Sequence, residues 1–174
     1  MAGDIKQKYP AASNDTVAIT ISLASLSSDT TLLAGRESTV VDNTTNVDID
    51  HLVSGVIRVG TAPTASREIR VYAYAPRKIA SGTPTYLAAV TGSDANLTIA
   101  SANVRDSALR LLWATLTDTT TDRDYFMPPT SIAQAFGEMP PYWGLWVTQA
   151  SGIALNSTSG NHELHYHRIQ KQYT

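Results

Sequence analysis

Three histidines, His162, His165 and His167, fall close together near the C-terminal end of the 174-residue chain. On an extended backbone His165 and His167 project from one face, so both imidazoles can reach one ion. They are the candidate metal ligands, and a three-fold oligomer would gather one such pair from each subunit. The string His162-Glu163-Leu164-His165 does not make a zinc-protease helix, because the second histidine of that motif would fall on Tyr166. A polar strand face is the simpler reading, and no cofactor is expected. The carboxylate pairs Asp48/Asp50 and Asp122/Asp124 also have strand-face spacing. Calcium takes roughly six to eight oxygens from glycine-shaped loops. Neither stretch supplies such a set, so both read as solvated strand or loop.

Nucleophile chemistry finds no support. There is no Gly-x-Ser-x-Gly elbow and no phosphate-binding glycine loop. The expectation is that the chain is not an enzyme. The aromatic residues suggest contacts instead. Trp113 and Trp143 alternate in step with aliphatic neighbours and read as core. Tyr142 and Trp146 have the other parity and read as a surface for a subunit or, alternatively, a glycan. Lys6, Lys8 and Tyr9 in the N-terminal stretch join them as candidate partner contacts.

The elements that must position these residues are strands. Residues 1–15 carry no periodicity and read as an arm. Val17, Ile19, Ile21 and Leu23 alternate with small or hydroxyl residues, which is the period of a half-buried strand. Residues 47–59 give the longest strand signal, and Ile69, Val71 and Ala73 are expected to pair back on it as an antiparallel return. Residues 79–106 read as loop-rich, with a short strand at 97–100. Leu109, Leu111 and Trp113 are expected on one face of the next strand, and 119–124 read as a polar loop. The only expected helix covers 131–136, stopped by Gly137. Strands follow from Trp143 and over 164–169. The expected fold is all-β: a single-domain antiparallel β-sandwich over 16–174, jelly-roll-like, with one short helix and an N-terminal arm over 1–15.

Composition narrows the role. Charged residues make up 16% of the chain, against about 25% in ordinary globular domains. Ser and Thr fill the deficit, and a hydroxyl-rich surface loses little charge solvation on docking. Net charge is -2. The nearest approach to a basic cluster (Arg67, Arg70, Arg77, Lys78) is interrupted by Glu68, so no nucleic-acid partner is expected. There is no cysteine, hence no disulfide scaffold. No apolar run is long enough to span a membrane. The first six residues lack a Sec-type apolar segment, so synthesis in the cytoplasm is the expectation.

Several strings together resemble small virion proteins of tailed bacteriophages. They are Leu33-Ala34-Gly35-Arg36-Glu37-Ser38, Val41-Asp42-Asn43-Thr44-Thr45-Asn46, Pro141-Tyr142-Trp143-Gly144, the turn at 148–155, and Gly160-Asn161-His162. The resemblance extends over most of the chain from about residue 16. It implies a capsid decoration or cement protein, or a head fibre. Such a protein would sit in the virion as a homo-oligomer, a trimer being favoured, on the major capsid protein lattice. The alternative is a tail or fibre component that binds a host surface or glycan.

Overall fold

The computed structural model describes residues 5–10 and 16–173. Of the arm expected over 1–15, the remaining positions lie outside the described residues. Among the described residues the strands are β1 (Ile5–Lys8), β2 (Thr16–Ala18), β3 (Ala34–Glu37), β4 (Val41–Asp42), β5 (Asp50–Arg58), β6 (Glu68–Tyr74), β7 (Lys78–Ala80), β8 (Thr83–Thr85) and β9 (Ala95–Thr98). They continue, after helix α1 (Ala102–Ala108), with β10 (Arg110–Leu116), β11 (Asp124–Ser131), helix α2 (Ile132–Phe136), β12 (Tyr142–Gln149) and β13 (Glu163–Tyr173).

Two antiparallel sheets form the expected sandwich. One runs β1-β13-β5-β11, with β2 also on β13. The other runs β10-β6-β12-β3-β9, with β4 also on β12. β5 pairs with β13 and β6 pairs with β12. These are nested antiparallel pairs, one per sheet, as in a ribbon rolled on itself, and the fold is jelly-roll-like.

The expected β5–β6 hairpin does not form, because the two strands lie in opposite sheets. The intervening corner is held by backbone bonds from Val59 N to Arg123 O (3.1 Å), Thr64 N to Ser151 O (2.7 Å) and Ser66 N to Thr117 O (2.8 Å). These bonds satisfy the corner's amides while the chain crosses between the layers. The long strand starts at Asp50, not 47: Val47 has φ 51° and is 73% exposed. α2 falls where expected. The Ser131 hydroxyl accepts from Gln134 N (2.9 Å), and Gly137 closes the helix at φ 84°. The expectation of one helix fails at α1. Its short sequence offers only Val104 and Ala108 as an apolar face, with Ser101 as its cap, and tertiary contacts hold it as well. Arg105 is buried, donates to Leu32 O (3.1 Å) and lies over the Tyr72 ring.

The core has two parts. Between the sheets lie Val53, Ile57, Ile69, Val71, Trp143, Leu145, Val147, Leu164 and Tyr166. On the far side of the six-stranded sheet lies a second cluster, in which Tyr72, Tyr74, Trp146 and Leu97 pack with Ile99 and Leu109. That sheet is therefore buried on both faces. A register shift between Leu111 and Trp113 breaks the alternation expected of β10. Leu109 joins the second cluster, Trp113 packs against the first, and Leu111 is 53% exposed.

Candidate functional site

The five-stranded sheet has a far side too, and among the described residues it is open. Strand register sets its composition, because paired residues share a face. His165 lies opposite Ser54 and Ala18, and His167 opposite Leu52 and Thr16. Val56 has Glu163 on one side and Phe126 on the other. The inward partners Val53, Ile57, Leu164 and Tyr166 are core, so β5 and β13 alternate as half-buried strands should. Phe126 is 71% exposed. Ser54, Val56, Phe126, Glu163 and His165 line a shallow hollow of about 290 Å³. A hydroxyl-lined groove of about 420 Å³ lies elsewhere, between residues 22–27 and strands β3 and β9.

The sequence-predicted residues divide. His165 and His167 are neighbours on the open face, with ring centroids 5.3 Å apart. The His165 Nε2 meets the Ser54 hydroxyl at 3.1 Å, and the His167 Nδ1 meets the Thr16 hydroxyl at 2.9 Å. Partial burial lowers the His165 pKa, the adjacent His167 lowers it further, and Glu163 opposes both. His162 is separated from them. Its Nδ1 accepts from Arg58 N (3.3 Å) and its Nε2 donates to Asn156 O (2.8 Å), so both nitrogens serve the turn. Among the described residues no group of three or more His, Cys, Asp or Glu side chains is placed to hold a metal ion.

Trp146 is not a contact residue. It is fully buried, its ring lies 5.6 Å from that of Tyr72, and its indole N–H donates to Leu97 O (3.4 Å). Its off-core parity is real, but α1 and the 86–90 segment cover the face it points to, with Leu97 of the edge strand β9 beside it. Tyr142 is half-buried at the start of β12, and its hydroxyl donates to Gly82 O (3.3 Å). Lys6 and Lys8 lie exposed on β1, which pairs with residues 170–173 of β13, and Tyr9 is 60% exposed.

The carboxylate pairs divide: Asp122 is exposed in its turn, as expected of a solvated loop, whereas the other three are held by protein partners. Asp48 is buried in an ion pair with Arg168. Asp50 accepts from the Ser131 hydroxyl (2.6 Å) and Ala133 N (2.9 Å) at the start of α2. Asp124 makes a two-point pair with Arg58.

Phe126 and its strand were missed. The prolines Pro128 and Pro129 argue against a central strand, but β11 is an edge strand, where proline is tolerated. Tyr125 and Met127, both inward, were the available signal.

The class this geometry defines is an antiparallel jelly-roll-like sandwich with one sheet covered on both faces and the other left open on one. Compared with family models, with curated proteins and with solved structures, the chain finds no match. No helix among the described residues is long and apolar enough to cross a membrane.

Proposed function

We propose that this chain is a structural protein of a tailed-bacteriophage virion, a decoration protein that seats on the major capsid protein lattice as a homo-oligomer and stabilises the head. The role is one of contact rather than catalysis. The observation that carries this reading is the open sheet face, where exposed Phe126 stands among Val56, Leu52, Ser54 and two histidines. Covering a side chain of that size contributes about 1.5–3 kcal/mol. Repetition over a lattice multiplies modest contacts. The setting rests on the resemblance of several sequence strings to those of phage virion proteins.

The tail or fibre reading depended on Tyr142 and Trp146 as a stacking platform. Burial of Trp146 removes half of that platform, so the head is preferred. Deleting the gene is expected to yield heads that lose DNA on heating or chelation. Unchanged heads would contradict the proposal. Antibody labelling of virions distinguishes the two locations, with signal over the whole head expected and signal confined to the tail tip contradicting it.

A further inference from the structure

Beneath the end of β13 the sandwich buries a polar cluster built from three distant parts of the chain. The Asp48 carboxylate, fully buried, accepts from Arg168 Nε (2.7 Å) and Nη2 (3.1 Å), from Gln170 Nε2 (2.8 Å) and from His51 Nε2 (2.9 Å). The loop carrying Asp48 is closed by Asn43, whose side chain bonds both the backbone N–H (2.9 Å) and the carbonyl (3.0 Å) of Asp48. On its other edge the His51 ring accepts the indole N–H of Trp143 at Nδ1 (2.9 Å), and Tyr166 stacks on it at 4.4 Å.

These bonds fix the protonation state. Trp143 can only donate, so Nδ1 of His51 carries no proton, Nε2 carries one, and the ring is neutral. A second proton would set two donors, Nδ1–H and the indole N–H, against each other. The groups facing the ring are Asp48 from the preceding loop, Asp50 on its own strand, and Arg168 and Tyr166 from β13. Burial is the strongest influence and disfavours the charged ring. Asp48 and Asp50 favour it, and Arg168 opposes it.

The cluster sits where β13 leaves the body. The ladder between β13 and β5 ends at Ile169 opposite Asp50, and residues 170–173 pair with β1. Val47, immediately before Asp48, is exposed and held at φ 51°. That is a strained conformation for a β-branched residue, and opening the loop relieves it.

We propose that the Asp48–His51 cluster is an acid-sensitive latch, which ties the end of β13 and the β1 strand paired with it to the sandwich at neutral pH and releases them on acidification. Opening exposes His51 to water, where it binds a proton that the closed cluster refuses. The open state therefore gains as pH falls below the ordinary imidazole value of about 6.5, by up to about tenfold per pH unit.

The test is amide hydrogen exchange on the full chain between pH 7 and pH 5, corrected for intrinsic rates, on the wild type, His51→Gln and His162→Gln. Glutamine at 51 can still accept from Trp143 and donate to Asp48, but it does not titrate. The expected result is an opening equilibrium over 43–51 and 166–173 that rises towards acid in the wild type and in His162→Gln, and stays flat in His51→Gln. Opening in the wild type that ignores pH, or that spreads over the whole chain, would overturn the latch. So would the same acid response in a folded His51→Gln. If His51→Gln does not fold, the wild-type pattern alone decides by the same criteria.

Discussion

The two sheets share one core but differ in what lies beyond it. The six-stranded sheet carries a second apolar layer on its far side, where Tyr72, Tyr74 and Trp146, with Leu97 of the edge strand β9, are covered by α1 and the 86–90 segment. Among the described residues the five-stranded sheet carries none. Its far side presents Phe126, Val56, Leu52 and the two histidines to solvent. The difference appears in the strands. β12 is buried from Trp143 to its end, whereas β13 alternates through Leu164, His165, Tyr166 and His167. A doubly covered sheet erases the period of two, and a half-covered sheet keeps it. The contact function proposed above belongs to the sheet that keeps it.

The sharpest way to break this comparison is Trp146→Ala. A fully buried tryptophan truncated in a packed layer costs about 3–5 kcal/mol, read as a fall in the denaturant midpoint. Wild-type stability in this variant would return Trp146 to the surface and undo the distinction between the sheets. Gly144→Ala probes the same roof from below. A Cβ at 144 would overlap the Tyr74 ring, and overpacking of this kind costs about 1–3 kcal/mol, measurable in the same unfolding experiment.

pH probes one histidine in the layer that both sheets share, His51, and one in a turn at the sandwich's end, His162. His51 and His162 are both held neutral, chiefly by burial, so their folded pKa values lie below the ordinary 6.5. The unfolded chain therefore takes up protons first as pH falls. Their contribution is complete above about pH 6.5 and declines as pH falls below it. Unfolding midpoints at pH 7 and pH 5 should differ accordingly, and His51→Gln should narrow the gap. Val47→Gly is expected to stabilise by about 0.5 kcal/mol, the relief of left-handed strain exceeding the entropic cost of glycine. Smallest of all is Phe126→Ser. On an open face it should leave the stability of the isolated chain within about 0.5 kcal/mol of wild type, while weakening attachment to heads in a pelleting assay.

The alternation of β13, the Ser131 cap and Gly137 stop of α2, and the core positions of Trp143, Leu145 and Val147 were legible because local chemistry decides them. Trp146 was not. Parity assigns a residue to a face but is silent about whether a distant segment covers that face, and Leu97 and Leu109 are far away in sequence. β11 hid behind Pro128 and Pro129, which exclude a central strand but not an edge. The latch residues were unreadable for a similar reason. Asp48 and Asp50 share a parity, yet Asp48 precedes the strand in a loop with Val47 at positive φ, and its partners Arg168 and Gln170 come from the far end of the chain. On the open face, the His165–His167 pairing was legible, since i, i+2 on one strand needs no tertiary information.

The most direct test of the central claim is hydroxyl-radical footprinting of the free chain and of purified phage heads that carry it. The account predicts that Phe126 and His165 are modified in the free chain and protected on the head, while Trp146 stays unmodified in both. Equal modification of Phe126 in the two states, with protection falling on the six-stranded sheet instead, would contradict it.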